Sequence, residues 1–317
     1  MQSTESGSAI AGTEPLRIGT RGSPLALVQA AAVRDAIVAS GGIAGEAVAI
    51  VPIRTSGDRI ADRPLAEAGG KGLFTKEIDE ALLDGRIDIG VHSAKDMATR
   101  LPVGIAIVAC LKRGDVRDAF ISPYASSLAE LPQGAVVGTS SLRRRALVLR
   151  TRPDLTVIDL RGNVETRLRK IGEGQADATI LAAAGLARLG LADRVAGYLD
   201  ADEWIPAPGQ GTIAVAACAD DAATRAMLAG IDDRATALAL SAERAFLDEL
   251  DGSCRTPIGG IARIDGDRLT FRGMIVKPDG SEAHEVERHG TAGDAEAIGH
   301  DAAADLARRG GRGFFTD

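Results

Sequence analysis

From residue 16 to about residue 230, short apolar runs alternate with amphipathic stretches of helical period. Leu16–Thr20 reads as a strand, and Ser23-Pro24 then supplies an N-cap and an N1 proline for a helix running to about Ser40. In that helix Leu27, Ala30, Ala31, Val33 and Ile37 fall largely on one face. Further strands are predicted at Ala47–Thr55, Asp88–Ser93, Ile105–Leu111, Ala135–Gly138, Leu155–Leu160, Ala178–Ala182 and Ile213–Ala217. Helices are predicted at Gly72–Leu83, Ser141–Arg150, Val164–Ile171 and Gly185–Leu189. Alternation of this kind predicts α/β units with parallel sheets and helices on both faces.

The last part of the chain changes pattern. A helical Ala235–Leu250 is followed by strand-like Ile258–Ile264, Leu269–Val276 and Glu282–Arg288. Asp265-Gly266-Asp267 and Pro278-Asp279-Gly280 join these runs and are hairpin signals, and a helical Asp294–Arg309 follows. That order predicts a small α+β unit with an antiparallel sheet. Pro206 to Gly211, Pro-Ala-Pro-Gly-Gln-Gly, reads as a hinge or crossover. No internal repeat appears at solenoid periods.

Composition narrows the function classes. A chain of 317 residues suggests two or three domains. Aromatics make up only 3 %, which argues against base-stacking platforms for single-stranded nucleic acid. The formal net charge of -7 argues against nonspecific DNA binding. Residues 1–14 are rich in Ser, Gly and Thr and have neither a basic n-region nor an apolar h-region. They are expected to be a short disordered tail. No stretch approaches a membrane span, so a cytoplasmic protein is expected. Cys110, Cys218 and Cys254 cannot form a disulfide framework, and their spacing matches no zinc motif. No metal is therefore expected.

Against this acidic background, residues 139–170 carry nine basic side chains and three acidic ones. Thr139-Ser140-Ser141 follows a predicted strand and opens a predicted helix, where hydroxyls and free N–H groups suit an anionic oxygen. Simple N-capping by Ser141 explains the same residues about as well. Arg143, Arg144 and Arg145 then occupy the first helical turn, where the helix dipole disfavours cations and a compensating anion is expected. Arg161-Gly162-Asn163 repeats the arrangement, with Arg167 one turn further on. Thr20-Arg21-Gly22-Ser23 is a third strand-end arginine beside a hydroxyl. In open α/β sheets ligands bind at the carboxyl ends of strands, where all three segments lie. A pocket for a small, multiply anionic molecule follows.

Gly69-Gly70-Lys71-Gly72 superficially suggests a phosphate loop, but it lacks the leading glycine spacing and the hydroxyl residue after the lysine. His92-Ser93-Ala94-Lys95-Asp96 ends a predicted strand. Asp96 could be half of a surface ion pair. In an arginine-lined pocket it would instead stabilise a developing cation or relay a proton. His92 reads as structural, and Cys110 and Cys218 read as core. Cys254, in the loop Gly252-Ser253-Cys254-Arg255-Thr256-Pro257, sits beside an arginine in a setting that favours a thiolate.

Taken in order, the chain resembles the porphobilinogen deaminases, also called hydroxymethylbilane synthases. The resemblance rests on Arg21-Gly-Ser-Pro-Leu-Ala-Leu, Gly69-Gly-Lys-Gly-Leu-Phe, His92-Ser-Ala-Lys-Asp and Gly138-Thr-Ser-Ser-Leu-Arg-Arg. It continues through Leu160-Arg-Gly-Asn-Val, Pro208-Gly-Gln-Gly and Gly252-Ser-Cys-Arg-Thr-Pro-Ile-Gly. It implies a covalent dipyrromethane cofactor, joined by a thioether to Cys254. It also implies deamination and head-to-tail joining of four porphobilinogen molecules, with ammonia released. Each ring carries an acetate and a propionate, so cofactor and product rings together hold a dozen carboxylates.

By this resemblance Asp96 is the catalytic carboxylate. Arg21, Ser23, Lys95, Thr139, Ser140, Ser141, Arg143, Arg144, Arg161, Arg167 and Arg188 bind cofactor and substrate, and Lys71 belongs to a mobile loop over the site. The implied architecture is two α/β domains of the periplasmic-binding-protein kind, 15–111 with 212–230 and 112–211. Hinges join them, and a small α+β domain, 231–317, carries the cysteine. A monomer is implied. Glu67 stands where relatives often have lysine, and Ser253 and Thr256 where Gly and Val are common. Two rival readings remain: a hinge-closing anion receptor without catalysis, and a cysteine-nucleophile transferase.

Overall fold

The computed structural model describes residues 15–41, 43–44, 47–59, 72–250, 252, 256–311 and 313–315. The N-terminal tail, Glu67, Lys71, Ser253 and Cys254 lie outside the described residues. In chain order the strands are β1 (Leu16–Arg21), β2 (Val48–Ile53), β3 (Ile89–Ser93), β4 (Ile105–Cys110), β5 (Asp118–Ile121), β6 (Val136–Gly138) and β7 (Thr156–Ile158). They continue with β8 (Ala178–Ala182), β9 (Gly197–Leu199), β10 (Ile213–Cys218), β11 (Ile258–Asp265), β12 (Arg268–Val276) and β13 (Ala283–Thr291). The helices are α1 (Pro24–Ala39), α2 (Ser56–Arg59), α3 (Lys76–Leu83), α4 (Leu142–Thr151), α5 (Val164–Gly172), α6 (Ala183–Arg188), α7 (Ala222–Leu228), α8 (Arg234–Glu249) and α9 (Ala295–Gly310).

Two-residue periodicity explains how the first sheet, ordered β2-β1-β3-β10-β4, is buried on both sides. Ile213, Val215 and Ala217 of β10 join Ile18, Ile89 and Val91 in a core under Ala30, Val33 and Ile37 of α1. The intervening Ala214 and Ala216 face the other way, against Ile78, Ala81 and Leu82 of α3. The α1 start predicted from Ser23-Pro24 forms as expected, with the Ser23 hydroxyl accepting from Ala26 N–H.

The second sheet runs β7-β6-β8-β5-β9. Phe120, Val137 and Ile180 pack there against Ala146, Leu147 and Val148 of α4. Neither sheet is wholly parallel, which corrects the expectation from strand–helix alternation. β10 is antiparallel to β3 and β4, and β5 is antiparallel to β8 and β9. Each reversed strand enters its sheet from a chain crossing between the two halves, so it arrives from the opposite end. β5 and β9, four and three residues long, were not foreseen, and neither was α7.

The third sheet is the antiparallel meander β11-β12-β13, covered by α8 and α9. A Cβ on Gly299 of α9 would run into the Ala242 carbonyl oxygen of α8, so the helices pack closely at that glycine. Glu243 of α8 is fully buried where both crossings meet the third sheet. It accepts from both Arg113 Nη atoms (2.6 and 2.9 Å), from Gly209 N (2.6 Å) and from Ala262 N (2.7 Å). Every lone-pair direction of this carboxylate thus has a donor, which is the condition for burying a charge.

Candidate active site

Strand ends bring the predicted residues together. Arg21 closes β1, and Asp96 ends a single 3₁₀ turn, Ala94–Asp96, directly after β3. That turn is anchored by Ala94 N donating to Thr212 O. Thr139, Ser140 and Ser141 follow β6, Arg161 follows β7, and Arg188 lies in α6 directly after β8. All come from carboxyl ends of strands, where open α/β sheets place their ligands.

Four of the hydroxyl and arginine side chains serve local structure. Ser141 caps α4 by accepting from Arg144 N, and Thr139 Oγ1 accepts from Ser141 N at 3.2 Å. Arg21 pairs with Asp58 and lies over the Phe74 ring, 4.2 Å from its centre. Arg161 pairs with Asp159 at 2.7 Å. Ser140 instead accepts from Arg167 Nη2 at 3.1 Å.

The compensating anion expected at the α4 N-terminus turns out to be internal. Asp118, at the start of β5, is fully buried and accepts from Arg143 Nη2 (2.7 Å), Arg144 Nη2 (2.7 Å), Trp204 Nε1 (2.8 Å) and Gln210 Nε2 (2.9 Å). Burial by itself would raise its pKa. The adjoining Arg143 and Arg144 outweigh burial and hold the carboxyl well below the usual range. Arg143 and Arg144 are only 4 and 5 % exposed, and each also donates to a backbone carbonyl, Ile205 O and Ile180 O respectively. One donor is left over: among the described residues Arg143 Nε is buried without a partner. Arg145 lies at the exposed side and donates to Val157 O.

Lys95, Arg167 and Arg188 are different. Each is half-buried, and among the described residues none forms an ion pair. Lys95 Nζ donates to the neutral Gln210 Oε1 (3.3 Å), Arg167 to Gly162 O (2.9 Å) and Ser140 Oγ, and Arg188 to Gly211 O (2.6 Å). Burial, and then the field of Arg144, push Lys95 down to about 8 and Arg167 to about 10, with Asp96 opposing both shifts. Burial also lowers Arg188. Lys95 and Arg167 lie in the field of Asp96, and with Arg188 they are cations short of counter-charge, which leaves room for an anionic ligand. Its carboxylates would raise all three pKa values on binding.

His92 is buried beside this cleft. Burial first, and Arg21 second, lower it to about 4, so it is neutral at pH 7 and fits the structural role read from sequence. Sequence reasoning missed Asp118 and Gln210. An aspartate opening the apolar run Asp-Ala-Phe-Ile was a usable signal, because a buried carboxylate needs cations. Gln210 was read only as part of a hinge.

Fold and site together define a protein of two sheet–helix halves joined by two chain crossings, with cations that lack counter-charge gathered near strand ends. Residues 16–226 match the family described as porphobilinogen deaminase, dipyromethane cofactor binding domain, and residues 237–308 match the porphobilinogen deaminase C-terminal domain. The chain is 60 % identical over 299 residues to the porphobilinogen deaminase of Nitrobacter winogradskyi, covering 94 % of this chain and 95 % of that one. It is 56 % identical over 301 residues to that of Paracoccus denitrificans, covering 95 % and 96 %. The chain belongs to the porphobilinogen deaminase family, the hydroxymethylbilane synthases, which polymerise porphobilinogen on a dipyrromethane cofactor in tetrapyrrole biosynthesis.

Among solved structures, a periplasmic substrate-binding protein of an ABC transporter from Coxiella burnetii is similar with a TM-score of 0.42. The identity is 14 %, over 70 % of this chain and 94 % of that one. The likeness is loose, so the fold class rests on the sheet orders above. No helix among the described residues is long and apolar enough to cross a membrane.

Proposed function

We propose that the cleft between the first two sheets is where this chain holds dipyrromethane and the growing tetrapyrrole, with Asp96 as the catalytic carboxylate. The observation that carries this reading is the group of three cations, Lys95, Arg167 and Arg188, held among the described residues by neutral acceptors alone. Ring acetates and propionates are the counter-charges such a group lacks. The orphaned Arg143 Nε and the Ser140 hydroxyl suit the same anions. Arg21, Arg161 and Arg144 add positive potential from behind their own carboxylate partners. Ser23, Thr139 and Ser141 shape the helix starts that face the pocket.

When bound, dipyrromethane supplies a nucleophilic pyrrole carbon to which the first substrate ring is joined. Arg167 and Lys95 orient incoming porphobilinogen by its carboxylates. Asp96 stabilises the positive charge that develops at the pyrrole nitrogen as ammonia departs. The same carboxylate takes part in removing the proton displaced when the new carbon–carbon bond forms. Cys254 as the thioether anchor and Lys71 as an additional cation rest on their places in the sequence motifs. The three sheets support a division into 15–111 with 212–230, 112–211 and 231–317. A cytoplasmic, metal-free monomer completes the reading.

Intact-protein mass spectrometry with peptide mapping tests the anchor. The expected result is an excess of two pyrrole units, confined to the peptide containing Cys254. A fully active protein of unmodified mass would remove the covalent cofactor from this chain.

A further inference from the structure

The Pro208-Gly-Gln-Gly segment does more than connect two halves. Gln210 is fully buried, and each polar atom of its side chain has a defined partner. Nε2 donates to Val116 O (2.8 Å) and to Asp118 Oδ1 (2.9 Å), and Oε1 accepts from Lys95 Nζ (3.3 Å). These partners fix the orientation of the amide. A flipped amide would set its carbonyl oxygen against two acceptors and its NH₂ against an ammonium group. The donors and acceptors form one chain, from Lys95 in the first half through Gln210 in the crossing to Asp118 in the second. From Asp118 it passes to Arg143, Arg144 and Trp204.

The backbone holds Gln210 at this position. Gly209 has φ +76° and Gly211 φ +87°, a region glycine adopts without strain. A Cβ on Gly209 would lie 2.9 Å from Lys95 N, and one on Gly211 2.7 Å from Gly114 O. The crossing therefore lies against the turn that carries Asp96 on one side and the β4–β5 connection at Gly114 on the other. Arg113 Nε donating to Gln210 O (2.9 Å) ties it to the Glu243 cluster.

We propose that Gln210 is a positioning residue for polymerisation: its amide aims Lys95 at the substrate carboxylates and couples that aim to the Asp118–Arg144 cluster across the crossing. No other common side chain serves as well. Glutamate would meet the Asp118 carboxylate, leucine would leave Lys95 and one Asp118 lone pair without partners, and asparagine is one carbon short. The coupling also suits a cleft whose two halves must stay in register as rings are added. Lys95 reads the substrate from the first half, and its acceptor is fastened to the second.

The test uses holoenzyme and the variants Gln210→Glu and Gln210→Leu. The readouts are kcat and KM for porphobilinogen against pH, together with amine labelling of Lys95 against pH followed by peptide mass. The charged groups facing Lys95 are Asp96, Asp118, Arg143 and Arg144, and none of them is altered. Gln210→Leu is expected to raise KM about tenfold, with a smaller change in kcat, and to move Lys95 titration to lower pH. Gln210→Glu is expected to move that titration to higher pH, because a carboxylate replaces the neutral acceptor. Opposite displacements distinguish positioning from packing, since a packing defect would lower the melting temperature and leave Lys95 titration in place. An unmoved titration in both variants overturns the proposal. If Gln210→Leu does not fold, an unmoved or lowered Lys95 titration in Gln210→Glu overturns it alone.

Discussion

Asp96→Asn is expected to keep the bound cofactor while turnover falls by about a hundred- to ten-thousand-fold, the range that general acid–base and charge-stabilising groups contribute. Asparagine preserves the size and one acceptor of the side chain, so the 3₁₀ turn after β3 and its anchor to Thr212 O should survive. What disappears is the negative charge and the ability to take a proton. The carboxylate is placed among cations: its field favours the charged forms of Lys95 and Arg167, and Arg167 in turn contacts Ser140. Removing it leaves a cleft that binds anions at least as well but cannot stabilise a cation forming on the substrate. KM should therefore stay level or fall while kcat collapses. Intact mass and single-turnover kinetics give the two readouts, and near-normal rates with a normal mass would take Asp96 out of the chemistry.

The second large effect lies away from the reacting atoms. Asp118→Asn is expected to destabilise the fold by about 3–5 kcal/mol, the usual cost of breaking a buried charge pair from one side. Arg143 and Arg144 would remain buried with no carboxylate between them, and the new NH₂ would face donors from Arg143, Arg144, Trp204 or Gln210. The effect should depend on pH. The folded pKa of Asp118 is depressed, so its stabilisation is complete above the unfolded value near pH 4. It is lost as pH falls toward the folded value. Urea unfolding at neutral pH should show the full difference between the variant and the parent chain, and the difference should shrink below about pH 4. Equal midpoints at neutral pH would mean that Asp118 is not the counter-charge that permits this burial.

These two residues mark how far the sequence could be read. The catalytic role of Asp96 is what the family resemblance implies; its place just beyond a strand end was legible, and strand ends are where α/β sheets bind ligands. Asp118 was not, because β5 is four residues long and begins with the polar residue that matters. The arginines after Ser141 were correctly taken to need an anion, but sequence supplied no means of telling an internal carboxylate from a ligand. Lys95, Arg167 and Arg188 became the ion-pair-lacking group only once their neighbours were known. Gln210 shows the same limit. Its flanking glycines announced a turn, and nothing local announced the ammonium group and carboxylate that the turn brings together.

The sequence by itself determined most of the strands and helices, though not, for example, α7, β5 or β9, together with the change to an antiparallel unit near residue 235 and the ordered motifs that identify the family. Local periodicity, capping and turn chemistry are short-range properties, so they survive in one dimension. Tertiary structure decided which strands run backwards, which arginines are neutralised from within, and which cations remain for a ligand. Those outcomes depend on residues far apart in the chain, such as Asp118 with Arg144 or Lys95 with Gln210. Burial then makes each pairing, or its absence, energetically decisive.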